Sequence, residues 1–162
     1  MEQDKEVGFL DLIGALNRLE IRHLIIGRRA VILYGAPVLT ADHDLWVHPE
    51  DKKKTLLLLD RDLSFELSHP PQTRRLIVTA YSGMKKYDLF FHKRIKNSED
   101  AVLDFETCYG NSTLIEDEEM FFRVPSIHHL IQLKKIREPN VKDEQDIAYL
   151  LKAKQLLKAK KR

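Results

Sequence analysis

The chain has 162 residues, 43% of them hydrophobic and 32% charged, with a formal net charge of +2. That length supports one domain with a real core, the composition excludes a disordered chain, and the near-balanced charge excludes a surface built wholly for nucleic acid. A lone cysteine, Cys108, excludes an intramolecular disulfide framework and suits a reducing compartment.

Residues 7–19 have helical spacing, with Phe9, Leu10, Leu12, Ile13, Leu16 and Leu19 on one apolar stripe. The stretch before it, Met1-Glu2-Gln3-Asp4-Lys5-Glu6, is polar and unlike a signal peptide. Residues 22–26 read as a strand, 28–35 as a helix stopped by Gly35, and 42–47 as a second strand. Arg28-Arg29 interrupt the apolar run 24–39, so nothing here has the length of a membrane span, and the cytoplasm is the expected location. Pro49-Glu50-Asp51 opens a further helix, with proline and acids in its first turn, that runs to about residue 60. A short strand at 64–67 precedes a turn forced by Pro70-Pro71. Two β-rich runs, 74–81 and 86–92, are joined through Ser82-Gly83-Met84-Lys85 as a hairpin. Residues 93–110 carry no assignment. Runs 111–115 and 121–124 form a second pair around the acidic, solvated loop 116–119. Ser126 caps a helix to about residue 137, Pro139-Asn140 break it, and the chain from 143 onward is helical. The expected fold is α/β (α+β): a single domain over residues 1–162, with a mixed sheet flanked by helices. Its core lies at 20–95 and its helical C-terminal part at about 125–160.

The most informative residues are Thr40-Ala41-Asp42-His43-Asp44-Leu45-Trp46-Val47. Alternate strand side chains share a face, so Asp42 and Asp44 project side by side. Two carboxylates that close raise one another's pKa unless a cation stands between them. Mg²⁺ answers that need, because it is held by one or two carboxylates with substrate phosphates in its other positions. A solvated strand end carrying two acids is the plain alternative. His43 points the other way and reads as a buried, hydrogen-bonded histidine rather than a ligand.

Gly27 at a strand end, the helical Ala30-Val31-Ile32-Leu33-Tyr34-Gly35, then Pro37, Thr40 and Asp42-His43-Asp44 resemble the nucleotidyltransferase superfamily with the DNA polymerase beta-like fold. More narrowly, the chain resembles small bacterial members related to abortive-infection, toxin-like and lincosamide nucleotidyltransferases. Asp88 in Lys86-Tyr87-Asp88-Leu89-Phe90-Phe91 matches the family's third carboxylate. Val124-Pro125-Ser126 and the run to Lys134 resemble its helix-and-lysine stretch. Lys142-Asp143-Glu144-Gln145-Asp146-Ile147 resembles its final helix. The resemblance covers roughly residues 20–150, with the motifs in order.

The resemblance implies transfer of a nucleoside monophosphate from an NTP such as ATP to an acceptor, with Mg²⁺ or Mn²⁺. Asp42 and Asp44 would hold both metals; Asp88 would complete the second metal position and take the acceptor's proton. Gly27, Arg28, Arg29 and Lys134 are the candidate nucleotide-binding residues. The family pattern has Gly or Ser after the strand-end glycine, whereas this chain reads Gly27-Arg28-Arg29. An arginine there has three readings: a phosphate ligand through its planar fork, a plug in the triphosphate's place, or a surface residue or partner of an acid such as Asp42. Phosphate binding by one of the two is the reading carried forward. Lys134 lies near the phosphates or pairs with Asp143 or Asp146.

The acceptor is open: a small molecule, a tRNA or a protein. The chain's brevity suggests that a partner protein or a second copy completes the acceptor site. The alternative function is a silent nucleotide- or partner-binding module, for example of a toxin–antitoxin pair. Arg28 favours it, and retention of three mutually repelling acids opposes it. Six of the last eleven residues are basic, from Lys152 to Lys161 and Arg162, and read as a charge-complemented helix end or as an RNA-phosphate contact. The histidines show no zinc spacing, and neither a nucleophile elbow nor a Walker loop is present.

Overall fold

A computed structural model describes residues 6–160 of the chain; Lys161 and Arg162 of the basic tail lie outside the described residues, as do residues 1–5. Helix α1 (Phe9–Arg18) forms where the apolar stripe is cleanest and buries Leu12, Ile13, Ala15 and Leu16. Strand β1 (His23–Ile26) is buried along its whole length and runs straight into α2 (Gly27–Leu33). Strand β2 (Asp42–Val47) follows. A 3₁₀ turn at Pro49–Asp51 leads to α3 (Lys52–Leu57), which ends in a π-helical turn, Leu58–Asp62. Strands β3 (Glu66–Leu67), β4 (Ile77–Ser82) and β5 (Lys85–Phe90) complete a five-stranded sheet of order β1-β2-β5-β4-β3. β2 and β5 run parallel; β1 with β2, β5 with β4 and β4 with β3 are antiparallel.

The pleat sorts side chains between two faces. On one face Leu45, Val47, Val78, Ala80, Tyr87 and Leu89 join the main core with α1 and α3. On the other, Leu24, Ile26 and Trp46 pack against a smaller cluster built from the segment 93–110, whose residue pattern assigns no element. That segment forms a two-stranded ribbon, β6 (Arg94–Lys96) with β7 (Val102–Asp104), and then α4 (Phe105–Gly110). Asp104 caps α4 by accepting from Thr107 N–H. Phe105 meets Trp46 edge-on at 5.3 Å, and Trp46 Nε1–H donates to the His92 carbonyl at 2.8 Å. The ribbon and α4 thus cover the Trp46 end of this face. Asp44, two residues earlier on the same face, is only partly covered and Asp42 is exposed.

Strands β8 (Thr113–Asp117) and β9 (Met120–Val124) form a separate hairpin, with β9 lying against β1. Ser126 caps α5 (Ile127–Leu133) by accepting from His129 N–H, and α5 packs against α6 (Val141–Lys160). Ile127, Leu130, Leu133 and Leu150 are buried there as their spacing predicts, but Leu151 is 49% exposed. The buried face of α6 is instead Asp143, Asp146 and Leu150, so two acids stand where an apolar stripe would be expected. Asn140 and Asp143 bond one another's backbone N–H at 2.9–3.1 Å, a reciprocal cap that fixes the first turn. Leu130 is fully buried, and Leu130→Asp would bury an unpaired charge. The variant is expected to unfold or aggregate; a circular-dichroism melt matching the wild type would contradict this packing. No helix among the described residues is long and apolar enough to cross a membrane.

Candidate active site

Gly27 is the hinge between β1 and α2, and its backbone has φ +68°, a left-handed value that disfavours any side chain. Space gives a second reason for glycine. A Cβ built on Gly27 would stand 2.3 Å from Asp44 Oδ2 and 3.1 Å from its Cγ. The backbone turn and the carboxylate are therefore fitted to each other, because β1 and β2 pair with Ile26 opposite Asp44.

Across the parallel pair, Asp44 stands opposite Asp88 and Asp42 opposite Lys86. Neighbouring strands lie about 4.8 Å apart, so Asp44 and Asp88 leave the same face side by side. Thr79, opposite Asp88 on β4, donates its hydroxyl to Asp88 Oδ1 at 2.7 Å, and Lys86 Nζ lies 3.7 Å from Asp88 Oδ2. Asp88 is held from both sides, whereas among the described residues no hydrogen bond or ion pair holds the Asp44 side chain. Burial first, and then the charge of Asp88, push the Asp44 carboxyl up to about 6; Lys134 and Lys86 act in the opposite direction. Among the described residues no group of three or more His, Cys, Asp or Glu side chains is assembled to hold a metal ion. The donor set still fits a hard divalent cation of the kind bound by one or two carboxylates plus phosphate oxygens.

A cavity of about 270 Å³ opens beside Asp44. Ile26, Phe90 and Leu133 give it an apolar wall; Gly27, Lys134 and Arg137 give it a polar one. Lys134, at the C-cap of α5, is 10% exposed and reaches Asp146 Oδ2 at 2.8 Å. Arg137 pairs with Asp143 at 3.6 Å and is otherwise exposed.

The two arginines after Gly27 go elsewhere. Arg28 Nε lies 3.4 Å from Asp146 Oδ1, so its partner is an acid of α6 rather than Asp42, and Arg28 is outside the cavity lining. Arg29 donates from Nε to His43 Nδ1 at 3.3 Å and lies over the Phe9 ring at 5.1 Å. His43 is buried between the rings of Phe9 and Tyr87, each 5.0 Å away, on the opposite face of β2 from Asp44. Burial, with Arg29 second, draws the His43 imidazole down to about 4, so it is neutral and accepts at Nδ1.

Of the residues singled out in the sequence, the structure brings Gly27, Asp44 and Lys134 to one cavity and sets Asp42 and Asp88 beside Asp44 on the sheet. Arg28 and Arg29 are not brought there. Thr79 and Arg137 were not singled out in the sequence. Thr79 is found only through strand register. Arg137 belongs to the predicted helix but lies in the connection after α5.

No family model matches the sequence, and no curated protein matches it either. Solved structures do. The lincosamide antibiotic adenylyltransferase LnuA, solved with lincomycin bound, superposes with a TM-score of 0.66 at 12% identity, over 90% of this chain and 98% of that one. The antibiotic-resistance factor ANT(2'')-Ia gives 0.62 at 13% identity, over 91% and 85%. An antigenic nucleotidyltransferase-like protein from Paracoccidioides brasiliensis gives 0.61 at 20% identity, over 90% and 72%. The chain has the nucleotidyltransferase fold.

Proposed function

We propose that this protein is a divalent-metal-dependent nucleotidyltransferase that moves a nucleoside monophosphate from an NTP to an acceptor hydroxyl. The observation that carries the reading is the fit of Gly27 to Asp44, with Asp88 in register on the neighbouring parallel strand. An ordinary sheet gains nothing from a left-handed glycine whose missing side chain makes room for a carboxylate already crowded by another. A bound Mg²⁺ or Mn²⁺ supplies neutralisation of the charge on the phosphoryl oxygens. Asp44 and Asp88 hold it, with Asp42 at the exposed rim. Gly27 lets the chain approach the triphosphate closely, and Lys134 faces the phosphates from the cavity wall. In the transfer, the acceptor oxygen bonds to the α-phosphorus, the bond from that phosphorus to the bridging oxygen breaks, and pyrophosphate leaves. The acceptor's proton passes to the Asp88 carboxylate, which Thr79 orients.

LnuA, an antibiotic adenylyltransferase by name, makes ATP the first nucleotide to test and a hydroxyl-bearing small molecule the first class of acceptor. Metal binding should appear as thermal stabilisation. A tenfold excess over Kd contributes about 1.4 kcal/mol, or roughly 3–6 °C in Tm for a chain of this size. A melt unchanged by millimolar Mg²⁺ or Mn²⁺, with and without ATP, would contradict the reading.

A further inference from the structure

Behind the cavity wall, one buried carboxylate faces two cations. Asp146, 2% exposed at its side chain, lies 2.8 Å through Oδ2 from Lys134 Nζ and 3.4 Å through Oδ1 from Arg28 Nε. Both contacts are ion pairs, and the lysine pair is the closer of the two. Arg28 Nε and Asp146 Oδ1 are both buried and make no hydrogen bond among the described residues, so the arginine is held by charge alone. The reciprocal Asn140–Asp143 cap fixes the first turn of α6, and Asp146 follows one turn later. Lys134 lines the cavity next to Asp44 and Gly27; Arg28, despite following Gly27 in the chain, does not.

We propose that Asp146 is a positioning residue that fixes Lys134 in the cavity wall as the cation meeting the nucleotide's phosphates and ties Arg28 down behind it. The inference rests on the nucleotide reading above. A free lysine loses rotamer freedom when it binds a phosphate; one already held by a buried carboxylate has given up that freedom on folding. Arg28 then replaces the small residue of the fold's usual pattern without filling the triphosphate's place, since its guanidinium is drawn to α6.

The test is isothermal titration of Mg²⁺–ATP, and separately of inorganic tripolyphosphate, into wild type, Lys134→Met, Arg28→Met, Asp146→Asn and the Lys134→Met/Asp146→Asn double variant. Losing the lysine should weaken both ligands roughly ten- to a hundredfold. Asp146→Asn should weaken them comparably, the double variant no more than either single one, and Arg28→Met by less than about threefold. An Arg28→Met loss equal to that of Lys134→Met, or a folded Asp146→Asn that binds as wild type, overturns the proposal. Should Asp146→Asn not fold, Asp146→Glu keeps the charge but displaces Lys134, and it must weaken tripolyphosphate while Arg28→Met does not. If wild type binds neither ligand, the nucleotide reading fails on its own. The positioning claim is then decided by thermal-melt cycles: coupling between residues 134 and 146 must exceed that between 28 and 146, and equal or reversed coupling overturns it.

Discussion

Asp44→Asn is expected to raise the thermal stability of the metal-free protein at pH 7.5 while abolishing its response to Mg²⁺ or Mn²⁺. The sign follows from the Asp44 carboxyl, pushed from its ordinary 3.8 up to about 6 by burial and then by Asp88. Between those values the folded protein holds a proton that the unfolded chain has lost. Stability therefore falls as pH rises through that window, and above about 6 the whole cost is present. Two pKa units correspond to nearly 3 kcal/mol, and partial exposure of the group reduces this to on the order of 2 kcal/mol. His43 works in the opposite direction. Its folded value of about 4 lies below the unfolded one, so its contribution is present above pH 6.5 and is lost as pH falls towards 4. Wild type should thus show a flattened pH dependence between pH 4 and 6, where the two groups oppose each other. Asp44→Asn should expose the uncompensated rise with pH due to His43. Melts from pH 4 to 8 in EDTA measure both effects; a variant less stable than wild type at pH 7.5 would remove the crowded-carboxylate account.

Gly27→Ala should lose the same metal response with the opposite change in stability. At φ +68° an alanine costs about 1–2 kcal/mol in backbone strain. Its Cβ would also fall within 3.2 Å of Asp44 Cβ and closer still to the carboxylate, so the side chain must rotate away from its place opposite Asp88. A Tm lowered by several degrees, together with a lost Mg²⁺ shift, is the expected result. Asp44→Asn and Gly27→Ala form a pair: one removes the charge and stabilises, the other displaces it and destabilises, and neither binds metal. A Gly27→Ala protein with a wild-type metal response would show that the close approach of backbone and carboxylate has no functional meaning.

Much of the architecture was legible because it rests on periodicity. The stripe of α1, the apolar β1 and the alternation of β2 each state their element directly, and β2 occupies the residues expected of it. The segment 93–110 was not legible. Its two strands have three residues each, too few for an alternation to register, and their role is set by Trp46, which lies some fifty residues earlier in the chain. The candidate acids could be named from their spacing, but the partners that hold them could not. Thr79 reaches Asp88 only through the register of β4 on β5. Asp146 was quoted only as part of a motif, and its burial between Lys134 and Arg28 depends on how α6 docks against α2 and α5. Arg28 shows the limit most plainly. The sequence places it beside a presumed phosphate site, yet a buried acid more than a hundred residues away sets the direction of its guanidinium.

In the proposed reaction Asp44 and Asp88 share a divalent cation with the phosphates of a nucleotide lying against Gly27 and Lys134. The most direct measurement is a crystal structure with Mn²⁺ and a non-hydrolysable ATP analogue, with manganese located by its anomalous signal. A manganese peak is expected about 2 Å from oxygens of Asp44 and Asp88. Triphosphate oxygens are expected to complete the coordination shell, with Lys134 Nζ within hydrogen-bonding distance of a phosphate. A nucleotide bound elsewhere, or one in the cavity with no metal on either carboxylate, would contradict this arrangement.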